Sequence, residues 1–118
     1  MNSLILAFVG DAVHTLFIRN KFANENVSAG AMHKLCSSYC KASAQSEALT
    51  KIEPILNDIE KDIVRKARNA KTHDAPKNAK LVEYKRATSF EALIGYLYLE
   101  KNFERLEQIL NKSLENLT

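Results

Sequence analysis

The apolar positions of this chain recur at helical rather than strand spacing along almost its whole length. Residues 3–22 predict a first helix, with Leu6, Val9, Val13, Leu16 and Phe17 in one stripe at about 100° per residue. Leu4, Ile18 and Phe22 occupy the other side, so this helix is expected to be buried nearly all round. NENVSAG, 24–30, reads as a loop ending in Gly30, and a second helix follows from Ala31 to Cys40. Ser43 is placed to cap a third helix that carries Ala44, Ala48, Leu49 and Ile52 and stops near Pro54. A fourth runs from Leu56 or Asn57 to Ala70, with Ile59, Ile63, Val64 and Ala67 turned inward. THDAPKN, 72–78, reads as an exposed loop around Pro76. A fifth helix spans 80–100, with Thr88 as a place where it can break, and the last covers 103–116. That last helix turns Phe103, Leu106, Ile109, Leu110, Leu114 and Leu117 to one side. Only three Gly and two Pro leave few strand-turn signals. The fold class is therefore all-α, a compact bundle of five to seven helices, with no internal repeat.

At 118 residues the chain is expected to form a single domain, 1–118. Its 46% apolar and 26% charged residues are ordinary for a globular protein. The first apolar run, Leu4 to Val9, is too short to span a membrane. Met1 is not followed by a basic segment and a cleavable small-residue site, which predicts no secretory leader and a cytoplasmic location. Cys36 and Cys40 share a helix face at i, i+4, with His33 nearby, but no second Cys/His pair has zinc-site spacing. They read as thiols in a reducing compartment. The net charge of +3 is modest. Its distribution matters more, because residues 64–86 hold eight cationic side chains against two acidic ones. Such a cluster is either a solvated face or a surface for phosphates.

Two acids stand out against this background. Asp11 lies in LAFVGDAVHTLFI, 6–18, and Glu91 in FEALIGYLYL, 90–99. A buried carboxylate is unfavourable unless it is paired, hydrogen-bonded or bound to a metal. Both have a structural explanation as well. Gly10 can break the first helix and leave Asp11 as an N-cap. Thr88-Ser89-Phe90-Glu91 fits a capping box. No local motif joins the two acids, and the residues alone leave both readings open.

The motifs themselves carry a resemblance. LAFVGDAV, 6–13, resembles the ribonuclease III signature, in which Gly-Asp-Ala follows an apolar run, and FEALIGYLYLE, 90–100, resembles that domain's second acidic motif. The segment from Ala67 to Lys101, with RNAK at 68–71, is similar to the Mini-ribonuclease III branch, whose nuclease domain lacks an appended double-stranded-RNA-binding domain. No residues after about 117 are expected to form one here. The resemblance covers essentially the whole chain and implies an all-helical, homodimeric endoribonuclease. Its implied substrate is double-stranded RNA, and its implied role is maturation of the large-subunit ribosomal RNA precursor. A ribosomal protein bound to that precursor is a further implied partner. Asp11 and Glu91 are implied to be the catalytic, metal-binding acids, with Mg²⁺ as cofactor and Mn²⁺ as a substitute. Larger relatives carry a Glu four residues before the signature Asp and an Asp three before the second Glu. Here those positions are Ala7 and Thr88, which puts the metal count in question.

Without a second domain, the basic segment must hold the RNA. Arg68, Asn69, Lys71, Lys77, Lys85 and Arg86 are the candidate contacts, although Asn69 also suits a helix C-cap. A-form RNA is recognised largely by backbone and shape. His14 reads as packing or polar support, and His33 and His73 receive no catalytic role. Phe8 and Tyr96 are candidate dimer contacts. The competing reading is a non-catalytic, ribosome-associated RNA-binding module of the same fold. A helical protein-interaction adaptor would explain neither the acids nor the basic segment.

Overall fold

A computed structural model describes residues 1–71 and 80–115. Among these residues the chain forms six α-helices and one 3-10 turn. The helices are α1 (Ser3–Phe22), α2 (Ala29–Cys40), α3 (Ala42–Ile52), α4 (Asp58–Arg68), α5 (Lys80–Leu99) and α6 (Phe103–Ser113). The turn, Glu53–Ile55, begins where Pro54 cannot extend α3. Local chemistry sets several of the ends. Asn2 accepts from the Leu4 amide at 2.7 Å, and Ser28 accepts from the Ala31 amide. Asn57 and Glu60 form a reciprocal capping box at the start of α4. The α5 C-terminus closes with paired bonds from the amides of Lys101 and Asn102 to the carbonyls of Tyr98 and Leu97. This places Lys101 at a left-handed φ of 58°.

α5 is the central element. Nine of its residues between Ala87 and Leu97 are buried. One side joins Ala48, Leu49 and Ile52 of α3 to Leu106, Ile109 and Leu110 of α6 through Phe90, Leu93, Ile94 and Leu97. The other meets α1 and α4 through Leu6, Ala7, Ala67 and Ala92. Glu60 is 2% exposed, and Arg105 of α6 donates to both of its carboxylate oxygens at 2.7 and 2.8 Å. These bonds hold the Glu60 carboxyl below its ordinary range. The pair fastens α4 to α6.

Several expected features fall elsewhere. α5 runs unbroken through Thr88, whose hydroxyl donates to the Tyr84 carbonyl one turn back, so no capping box exists there. α1 likewise continues through Gly10 and Asp11. α2 starts two residues before Ala31 and absorbs Gly30 in its first turn. Ser43 lies inside α3 rather than capping it. Ile59 and Phe103 face solvent rather than the core, because each sits in the first turn of its helix, before the helix reaches its neighbours. α1 is not buried all round: Leu6, Ala7, Gly10, His14 and Ile18 face inward. Leu4, Ile5, Phe8 and Leu16 are exposed. The predicted loop 72–78, with His73 and Lys77, and Leu117 lie outside the described residues.

The tightest feature is the crossing of α1 and α5. A Cβ at Gly10 would overlap the Glu91 carbonyl oxygen and lie 2.8 Å from the Gly95 nitrogen. A Cβ at Gly95 would overlap the Leu6 carbonyl oxygen. As α1 advances from residue 6 to 10, the facing position on α5 retreats from 95 to 91, so the helices run antiparallel with their backbones in contact. Gly10→Ala is expected to cost about 1–3 kcal/mol or more, because backbone rather than a flexible side chain must move. Gly30→Ala, with nothing within 4 Å of the new methyl, should be neutral or slightly stabilising. Denaturant unfolding of the two variants makes the comparison, and equal stabilities would contradict the close crossing.

Candidate active site

The glycine crossing brings together two acids that stand eighty positions apart in sequence. Asp11 follows Gly10 directly, and Glu91 is the residue whose carbonyl Gly10 touches. The two carboxyl groups are close enough for Asp11 to accept a hydrogen bond from a protonated Glu91. Asp11 is exposed, a correction to the expectation of a first helix buried nearly all round, whereas Glu91 is partly buried. Burial is the main cause that pushes the Glu91 carboxyl up to about 8, and the hydrogen bond and negative charge of Asp11 push the same way.

Behind the acids lies a polar pair that is closed off from solvent. Gln45 of α3 and His14 of α1 are each 2% exposed. The Gln45 amide nitrogen lies 3.2 Å from His14 Nδ1 and 3.4 Å from Glu91 Oε2. The His14 ring meets Phe90 edge-on at 5.0 Å. Burial lowers the His14 pKa to about 4, against the opposing pull of Asp11, so the ring is neutral near pH 7. His14 thus supplies polar support rather than charge. Gln45 did not stand out in the sequence. The signal was present: Gln45, Ala48, Leu49 and Ile52 follow i, i+3, i+4, i+7, which puts a polar side chain at the head of an apolar stripe.

The two positions that carry acids in larger relatives are filled by packing. Ala7 joins the small-residue cluster with Ala67 and Ala92, and the Thr88 hydroxyl is used on the α5 backbone. Among the described residues no group of three or more His, Cys, Asp or Glu side chains is placed to hold a metal. What remains is a two-carboxylate donor set with an exposed member. When both are ionised, such hard oxygen donors suit a hard divalent cation such as Mg²⁺, which keeps several of its own waters. Cys36 and Cys40 are free thiols, buried and half-buried.

The basic candidates divide. Arg68 and Lys71 are exposed at the end of α4 and just beyond it, and Lys85 is half-buried on α5. Asn69 is the α4 C-cap. Arg86 is engaged within the protein: it donates to Ser46 Oγ at 3.0 Å, Thr50 Oγ1 at 2.6 Å and Glu53 Oε1 at 2.8 Å. It therefore ties α5 to α3 and the turn after it. Lys77 lies outside the described residues.

The model of the ribonuclease III domain matches residues 4–102, which contain both acids. The chain belongs to the ribonuclease III family. Within it, the chain falls in the Mini-ribonuclease 3 branch. It is 47% identical to the Mini-ribonuclease 3 of Thermoanaerobacter sp. over 98% of this chain and 82% of that protein. It is 34% identical to that of Streptococcus pneumoniae over 99% and 94%. A crystal structure of a Fusobacterium nucleatum protein superposes with a TM-score of 0.85 at 35% identity, covering 94% of this chain and 89% of that one. The all-helical expectation thus holds, and the activity class is that of a ribonuclease. Among the described residues no helix is long and apolar enough to cross a membrane.

The raised Glu91 pKa fixes a pH dependence. Below about 4.5 both folded and unfolded chains carry this proton, and the group contributes no slope. Between about 4.5 and about 8 the unfolded chain has lost it while the folded chain keeps it, so stability falls as pH rises, then levels off. Glu91→Gln removes that slope. In chelator-treated protein at pH 8 it should be more stable than the parent by about 1–2 kcal/mol, the full shift being discounted for partial exposure. Melting temperatures across this range make the check, and parallel pH profiles would contradict it.

Proposed function

We propose that this ribonuclease is an Mg²⁺-dependent endonuclease of double-stranded RNA, with Asp11 and Glu91 as its catalytic acids. The observation that carries the reading is the paired carboxyls at the α1–α5 crossing, one of them exposed. When bound there, Mg²⁺ would polarise the scissile phosphate and acidify a water for in-line attack. The protein's part is to hold the two acids together and orient them. Arg68 and Lys71, with Lys77 and Lys85, would meet the RNA backbone, while Asn69 and Arg86 serve chiefly to end α4 and brace α5. The resemblance to the Mini branch favours the large-subunit ribosomal RNA precursor as substrate, handled in the cytoplasm.

Phosphate contacts of this kind release counterions, so RNA affinity should fall steeply with salt. The decisive test incubates structured double-stranded RNA and Mg²⁺ with the parent, Asp11→Asn and Glu91→Gln. The parent should cut. Each folded variant should cut about 10²–10³-fold more slowly, the size of losing a metal's charge stabilisation. Undiminished cleavage by both variants would remove the assigned site.

The proposed assembly is a homodimer built on the exposed stripe of α1. Phe8 is 80% exposed and Leu16 70%, with Leu4 and Ile5 beside them. A contiguous apolar face of this kind marks an interaction surface. Tyr98 and Phe103, edge-on at 5.9 Å, add further exposed aromatic area. Phe8→Glu is expected to convert a dimer to a monomer in light scattering. A persistent dimer would place the interface elsewhere.

A further inference from the structure

The site has a third contributor besides the two acids. Gln45 arrives from α3, a helix that supplies neither acid, and its side chain is enclosed between α1 and α5. Its amide nitrogen has two N–H groups and no acceptor capacity. Facing Glu91 Oε2 and His14 Nδ1 together, that nitrogen can donate to both only if Nδ1 carries no proton. His14 is suited to this. It is enclosed and braced edge-on by Phe90. In the tautomer protonated at Nε2, the ring presents Nδ1 as an acceptor and fixes which end of the amide faces Glu91. An N–H facing a carboxylate oxygen holds it by a hydrogen bond, whereas the amide oxygen in the same place would repel it. The orientation of the Gln45 amide therefore bears on whether Glu91 can act as a ligand.

We propose that His14 and Gln45 are a positioning pair: His14 orients the Gln45 amide, and the amide holds the Glu91 carboxylate toward Asp11 as a metal ligand. The inference rests on the reading of Asp11 and Glu91 as metal-binding acids. It gives α3 a direct part in the site. Neither residue touches the reacting phosphate; both act through Glu91. Partners that orient metal-binding carboxylates typically govern affinity by about 10–100-fold.

Titration of the full-length protein with Mn²⁺ alone, followed by calorimetry, reads this without RNA or turnover. Gln45→Met keeps the side-chain length and removes the amide. It is expected to weaken Mn²⁺ binding by about 10–100-fold. His14→Leu should weaken it in the same direction, and the double variant should be no weaker than Gln45→Met alone, because His14 acts only through the amide. A merely structural role would leave Mn²⁺ affinity at the parent's level, or give independent losses that multiply in the double variant. If Gln45→Met lowers the folded fraction, His14→Leu carries the same decision by itself. Asp11→Asn separates this inference from the site reading. Loss of Mn²⁺ binding in Asp11→Asn with undiminished binding in Gln45→Met overturns the positioning role alone. Parent-like binding by Asp11→Asn overturns the site reading and the positioning role together.

Discussion

The contact of two helix backbones at Gly10 and Gly95 is the constraint on which the rest of the molecule turns. Side chains normally hold packed helices 8–10 Å apart between axes. Here neither glycine leaves room for a methyl group, so α1 lies directly on the backbone of α5. Two consequences follow. Asp11, one position beyond Gly10, is carried to Glu91, and the inward face of α1 presents Ala7 and His14 beside the crossing. The Phe90 ring and the Gln45 amide can then reach His14 from α5 and α3.

The acid pair works against folding. Putting Glu91 partly out of water beside Asp11 raises its pKa and disfavours the ionised form needed to bind a cation. The surrounding structure offsets this locally and globally. Locally, the Gln45 amide favours the ionised carboxylate. Globally, α5 is embedded among α1, α3, α4 and α6, and braces such as Glu60–Arg105 and Arg86–Glu53 hold its neighbours in place. The most deeply packed helix can thus carry an unfavourable group because its position does not depend on that group.

Helix spacing and some end signals were legible in the sequence because they are local. The extent of α1 and the stop at Pro54 follow from periodicity and proline chemistry. Which face of a helix is buried was less legible, because an apolar residue reads the same whether it meets the core or another surface. Leu16 joined the predicted stripe of α1 yet is 70% exposed, while Gly10 and His14, which carry little apolar signal, face inward. The break allowed at Thr88 failed for a related reason. A capping box is a local pattern, and burial of α5 on both sides overrides it. The acids were legible as oddities, and their motifs carried the family. Their neighbourhood was not, since Gln45 enters from a third helix and Arg86 looks like any other member of a basic run until its partners on α3 are seen.

Ala7 and Thr88 give the reduced acid set a physical sense. Had these positions merely lost their carboxylates, the space would be open to water. Instead Ala7 is 7% exposed against Ala67 and Ala92, and Thr88 is 8% exposed with its hydroxyl turned to the α5 backbone. A longer acid at Ala7 would have to find room in the cluster that Ala7 shares with Ala67 and Ala92. The small ligand set and the close packing of three helices are therefore one arrangement. On the proposed reading, a cation held by only two protein carboxylates must draw its remaining ligands from water and from the phosphate it acts on. Metal binding and RNA binding then support each other. The exposed carboxylate of Asp11 leaves room for those outer ligands to exchange, while the enclosed Gln45 and His14 fix the other side.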